Sequence, residues 1–310
     1  MRDGTPAAVT NLTMNAPMHR TSLALAALIT VFAAGCAATD TQDSTGDEAD
    51  ELKVDPLAMP APIVSFLKSN DWGAHHLEWH TVRNWDRLGA DDQAYAKSQG
   101  WARASLQEGV KGNGLEFLAM HRVMFRILTS QFPESVELFA GWSSPPTDPS
   151  DELDRVPAKN TQEFDAKKLD AIDKLQNHIE DFKSDDELGL FLETSLRPTK
   201  ADPNKRTTNK RAGIHNYLHN RFSGDSKRVD IGDPSVNLQN KRFWRLHGWI
   251  ESRWTEFRKI KGLGEADPKY AAALKKGEDM LTMRPRGTNG PGTKAPAPAS
   301  LRGFFVNNND

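Results

Sequence analysis

The chain has 310 residues, with 40 Lys and Arg against 42 Asp and Glu, for a formal net charge of -2. A near-neutral balance with no basic patch argues against a nucleic-acid binder. A charged fraction of 26% and a mean hydropathy of -0.63 describe a soluble bulk, long enough for one large domain or two small ones. The single cysteine, Cys36, rules out a disulfide framework.

The N-terminus has the form of a targeting segment. Met18-His19-Arg20 gives a short charged start, and residues 21–34 form an apolar run too short to span a bilayer. The run ends in Phe32-Ala33-Ala34-Gly35-Cys36, which resembles a bacterial lipoprotein signal in which the cysteine carries the lipid. The other reading is an ordinary secretory signal with an incidental cysteine. The lipoprotein reading makes residues 1–35 a signal peptide and Cys36 a membrane anchor. With Ala37 rather than aspartate after it, the expected location is the outer membrane of the cell envelope. Residues 36–54 are rich in Asp, Thr, Ser and Glu, bury too little to fold and read as a tether.

From residue 55 the pattern is helical, with strand signals nearly absent. Helices are predicted over 72–85, 91–108, 114–132, 161–182, 185–196, 209–222, 240–260 and 268–281. Asp91-Asp92 supplies an N-terminal start and Gly109 a stop for the second. Residues 142–160 and 223–240 read as loops, 197–210 as an exposed basic loop, and 286–310 as a Gly/Pro-rich irregular segment. The domain is expected to span 55–285. The fold expected is mostly α, a central four-helix bundle holding a dinuclear metal site, with long irregular loops.

Six of the nine histidines fall into two matching sets. His215 and His219, in Gly213-Ile214-His215-Asn216-Tyr217-Leu218-His219, lie four apart and so on one helical face. His247 follows on the stripe Phe243, His247, Ile250, Trp254 and Phe257, at steps of four and three. His76 and His80 repeat the pair, and His121 shares a stripe with Leu118, Phe125 and Leu128. A lone histidine on an apolar face is most often a satisfied core residue. Two sets with one internal logic point instead to imidazoles converging on metal, because a buried ionisable ring needs a partner. His75 stands about 100° off the face of His76 and His80, as a support to the ligands or an exposed side chain. His178 lies among charges and is expected to be solvated, and His19 falls in the signal.

The pattern His215-x3-His219, then Phe243-Trp244-x2-His247 and Trp254, resembles the second copper site of the type-3 copper proteins, that is tyrosinases, catechol oxidases and hemocyanins. The first set is similar to the arthropod hemocyanin form, through His75-His76-x3-His80 and Glu116-Phe117 leading to His121. The tyrosinase form of the first site fails, because Gly112 stands where its middle ligand would be. Asp233-Pro234 also lies further from Phe243 than in tyrosinases, Gly248 replaces a common histidine, and the gap from His80 to His121 exceeds that in hemocyanins. With Cys36 the only cysteine, the thioether crosslink of some members is impossible.

The resemblance implies two copper ions, one on His76, His80 and His121 and one on His215, His219 and His247. It implies O2 and a small phenolic substrate as partners. The reaction would be oxidation of an ortho-diphenol or a related phenol or aminophenol. Asn216 follows the first ligand of the second set, as in many tyrosinases, where it helps to hold a basic water. Lys205-Arg206-Thr207 occupies the stretch that carries its glutamate partner in some bacterial tyrosinases, so diphenol oxidation is favoured over monophenol hydroxylation. Phe243 either lies over the pocket or simply packs in the core. The alternatives are an oxygen- or copper-binding protein without turnover, and a structural lipoprotein with a degenerate site. A dizinc hydrolase is disfavoured by the absence of an H-E-x-x-H spacing.

Overall fold

The structure is a computed structural model. It describes residues 55–148, 163–199, 201–202, 205–225, 228–282, 296–303 and 305. The signal peptide, Cys36 and the tether lie outside the described residues, as do 286–295, 304 and 306–310 of the expected irregular tail. The described chain is mostly helical with little sheet. In order come α1 (Ala61–Ser69), α2 (Trp72–Arg83), α3 (Ala90–Ser98), α4 (Asn113–Gln131), α5 (Ala166–Asn177) and α6 (Asp185–Glu193). These are followed by α7 (Ile214–Arg221), α8 (Lys241–Ile260), α9 (Pro268–Thr282) and α10 (Ala299–Arg302). No described helix is long and apolar enough to cross a membrane.

Helix α4 lies at the middle and is buried almost all round, as a helix enclosed by others must be. Its contacts run mainly to α6 and α9, and it also touches α8. Gly114 and Gly189 let α4 and α6 cross backbone to backbone: a Cβ on Gly189 would lie 2.0 Å from the Gly114 carbonyl oxygen. Helix α8 is capped by Asn240, whose side chain accepts from the Arg242 amide, and buries the predicted stripe of Phe243, His247, Ile250, Trp254 and Phe257. Gly248 sits against Gly141, where a Cβ would meet the Gly141 nitrogen at 2.6 Å. A histidine therefore has no room at that position.

Three predicted elements differ. The helix expected over 91–108 ends at Ser98, because Gly100 turns the chain at φ 75°. The following stretch runs along the end of α2 instead, with Ala104 and Glu108 donating their amides to the Val82 and Arg83 carbonyls at 2.9 and 2.8 Å. That path brings Gln107 and Glu108 into the interior. The basic loop expected over 197–210 contains a short antiparallel pair, β1 (Leu196–Pro198) with β2 (Arg206–Thr208). The helix expected over 161–182 is confined to α5, capped by Asp165, with a single 3-10 turn at Ile179–Asp181.

Candidate metal centre

Helices α2, α4, α7 and α8 carry the six histidines, and the fold brings all six rings into one buried cluster. His76 and His80, one turn apart on α2, have ring centroids 4.7 Å apart. His121 lies 5.8 Å from His76 and stacks on His247 at 4.2 Å. His215 lies 4.6 Å from His219 and 5.0 Å from His247. None of the six is more than 4% exposed.

Two triads have their nitrogen atoms close enough to hold one ion, within 4.8 Å of one another. The first is His76, His80 and His121, as the sequence predicts. The second is His121, His215 and His247, which differs from the predicted His215, His219 and His247. His219 stays in the cluster, 5.3 Å from His247 between ring centroids, but its Nε2 is buried without a partner. The sequence pairs His219 with His215 through helical spacing alone. It does not register that α4 delivers His121 between the two sets.

The hydrogen bonds fix how the rings point. His76 Nδ1 donates to the Pro234 carbonyl at 3.0 Å and His219 Nδ1 to the Ile231 carbonyl at 2.7 Å. His121 and His247 donate to the carbonyls one turn back, Phe117 at 2.9 Å and Phe243 at 2.8 Å. His215 donates to Asn216 Oδ1 at 2.8 Å. These acceptors place the proton on Nδ1 in five rings and leave Nε2 as a bare lone pair, the tautomer that metal-binding histidines adopt. The Asp233-Pro234 dipeptide thus serves His76.

The Nε2 atoms then meet. His76 and His80 approach at 3.1 Å, and His215 and His247 also at 3.1 Å. In the second pair both Nδ1 atoms are committed as donors, so two lone pairs face each other, which is repulsive unless a proton or a metal lies between them. Burial, and then the neighbouring rings, hold the imidazoles neutral. Loss of hydration pushes His76 down to about 4 and His219 to about 3. His80, His121, His215 and His247 are pushed well below the ordinary histidine value by the same burial, and by repulsion from one another's charged forms. Neutral imidazoles with free lone pairs are the donor set that copper and zinc accept.

Asn216 has a partner that the sequence reading did not find. Its Nδ2 donates to Glu108 Oε1 at 3.0 Å, which turns its oxygen toward His215. Glu108 also accepts from Asn84 Nδ2. The partner comes from the non-helical stretch after α3, so no spacing upstream of Asn216 points to it. Nearby, Glu193 accepts from Asn113, and burial followed by the charge of Glu108 pushes its carboxyl well above the usual range.

Three phenylalanines enclose the cluster, Phe117 meeting His121 and His215 at 4.8 Å each. Phe243 is fully buried and stacks on His247 at 3.8 Å, with its ring edge-on to His76 at 5.4 Å. Phe305 is also fully buried, stacks on His219 at 4.0 Å and meets His80 and His215 at 5.0 and 5.4 Å. In the sequence it is one of a Phe304-Phe305 pair beyond a Gly/Pro-rich stretch, with no periodicity to mark it as buried. His75 is 3% exposed and belongs to neither triad, so the exposed placement is corrected to a buried one. His178 is solvated as expected, with its side chain 58% exposed. No family model and no curated protein matches the chain.

Proposed function

We propose that the six histidines hold two copper ions and that the protein is an O2-dependent oxidase of ortho-diphenols or related phenols and aminophenols. The observation that carries the reading is the pair His215 and His247, whose bare Nε2 atoms face each other at 3.1 Å with both Nδ1 protons committed elsewhere. Burial disfavours a shared proton, so a metal cation is the group that relieves the repulsion. Imidazole-only donors with no carboxylate among them suit copper, and each triad leaves coordination positions for an exogenous ligand. Four helices supporting a dinuclear centre would make this a metal-binding helical bundle. The type-3 copper resemblance of His215, His219, Phe243 and His247 adds to the reading.

Bound there, a copper pair would supply the redox chemistry by which one O2 takes four electrons from two diphenols, giving two quinones and two waters. The chain's own residues have separate tasks. The Pro234, Phe117 and Phe243 carbonyls and the Asn216 oxygen hold the rings in register. Glu108 fixes Asn216 and places a carboxylate two hydrogen bonds from His215, where it could hold a water that accepts a substrate proton. That arrangement removes the ground on which the sequence disfavoured monophenol hydroxylation. Phe243 walls the cluster and keeps water out. The lipid anchor at Cys36 and the envelope location belong to the same proposal.

A second reading, oxygen or copper binding without turnover, is favoured by Phe305, which lies against three of the six rings where a flat substrate would approach. A structural lipoprotein with a degenerate site is the third. The test is copper analysis of the loaded protein, its near-UV absorption with and without O2, and O2 uptake with catechol. Two coppers per chain and two quinones per O2 support the oxidase. Two coppers with an O2-dependent absorption but no uptake support the carrier, and no bound copper leaves the degenerate site.

A further inference from the structure

A second cavity, of about 390 Å³, lies among α2, α4 and α9, apart from the histidine cluster. His75 lines it, is 3% exposed and has no hydrogen bond from its ring to another described residue. That contrasts with the five clustered rings whose Nδ1 atoms are tied. A neutral imidazole that makes no hydrogen bond within the protein keeps a lone pair for an external ligand. The same cavity is lined by two methionines, Met120 on α4 and Met280 on α9. Two cations and three carboxylates share the wall. Arg83 pairs with Glu116 at 2.5 Å and Lys276 bonds to the same carboxylate, while Glu78 and Asp279 complete the set. The wall therefore carries no excess positive charge against a cation.

We propose that this cavity binds a single Cu(I) ion through His75, Met120 and Met280. Two neutral, polarisable thioethers and an imidazole match a soft monovalent ion, whereas the oxygen donors that a harder ion needs are engaged here, Glu116 by Arg83 and Lys276 and Asp279 by Lys275. His75 directly precedes His76, and Met120 directly precedes His121. The site is therefore backed by the two helices that carry the first triad, and would serve as a waiting position from which copper passes to it by ligand exchange, without electron transfer. This loading role rests on the dicopper reading. Binding of Cu(I) in the cavity does not.

The test is an anaerobic titration of the full chain with Cu(I), supplied as its acetonitrile complex against a chromogenic Cu(I) chelator, with X-ray absorption on the loaded protein. One equivalent should show sulfur scattering. Met120→Leu with Met280→Leu, which nearly conserves volume, should remove the sulfur signal and weaken that equivalent at least tenfold with an unchanged helical circular dichroism spectrum. His75→Ala should weaken it likewise. Nitrogen-only scattering, or a double variant that titrates as the parent does, would overturn the site. His121→Ala should leave the sulfur-bound equivalent in place. If the parent shows sulfur-bound copper and none on the six histidines, the cavity site stands and the dicopper reading falls.

Discussion

His121 and His247 stack at 4.2 Å, one from α4 and one from α8, and through this contact His121 belongs to both triads. With Nδ1 committed to the Phe117 carbonyl, His121 offers a single lone pair at Nε2, so it can complete one triad or the other but not both at once. Its Nε2 is buried and has no hydrogen-bond partner.

A ranking of the histidines follows. His121→Ala removes the donor that either triad needs and should lower bound copper by about one ion. His247→Ala should remove about one ion. His219→Ala should have the smallest effect of the three, since its nitrogen is not grouped with either triad. Metal analysis after loading and gel filtration measures this, with His178→Ala as the neutral control. Equal losses from His219 and His247 would restore the grouping that the sequence suggests.

Glu108 reaches the His215 ring through Asn216. Glu108→Ala should free the Asn216 amide, loosen the His215 ring and weaken copper binding by about 10–100-fold, the usual effect of removing a partner behind a metal ligand. The number of ions held at saturation should not change. Competition against a chelator of known affinity reads this. An unchanged affinity would mean that the His215 ring is positioned by packing alone.

The six histidines were legible in the sequence because helical spacing fixes which side chains share a face. His76 with His80 and His215 with His219 needed no tertiary information. His121 and His247 were legible as ionisable rings in otherwise apolar stripes. The sharing of His121 was not, because helix crossing depends on how closely backbones approach, here at Gly114 and Gly189. Glu108 was missed for a local reason, since Gly100 ends a helix that composition alone would continue. Phe305 was missed because a few apolar residues beyond a Gly/Pro-rich stretch have no periodicity from which to infer burial.

Acid should destabilise the metal-free protein over a defined window. In the unfolded chain histidine takes up a proton near pH 6.5, whereas His76 in the fold stays neutral down to about 4 and His219 down to about 3. Between these limits the unfolded state binds more protons, so stability is full above about pH 6.5 and declines as the pH falls toward 4. Glu193, Glu251 and Asp233, whose carboxyls burial pushes up, run the other way, but they are three groups against six. The melting temperature of metal-free protein should therefore fall from pH 7 to pH 4. Copper-loaded protein should start higher and lose its advantage within the same window, as protons displace the metal. A melting temperature that rises on acidification would contradict the neutral, clustered histidines.

Phe305 bears on whether the protein turns over substrate. Its ring stacks on His219 and meets His80 and His215 edge-on, so one side chain of the C-terminal segment covers rings from α2 and α7 together. The segment is held further back by Leu301, which packs with Leu77, Val82, Ala96 and Trp101 in a smaller apolar cluster. Phe305→Ala should open the space over His219 while leaving that cluster intact. The expected outcome is an unchanged copper count and a kcat/KM for catechol raised about tenfold or more, a gain of roughly 1.4 kcal/mol in transition-state stabilisation. Removing a buried phenylalanine costs stability, about 3–5 kcal/mol where the site cannot collapse. Phe305→Leu, which keeps most of the volume, separates the two effects: it should lie between parent and alanine in rate and close to the parent in melting temperature. If both variants hold two coppers and neither oxidises catechol or an aminophenol, the ring is not what limits turnover, and the protein binds oxygen or copper without being an oxidase.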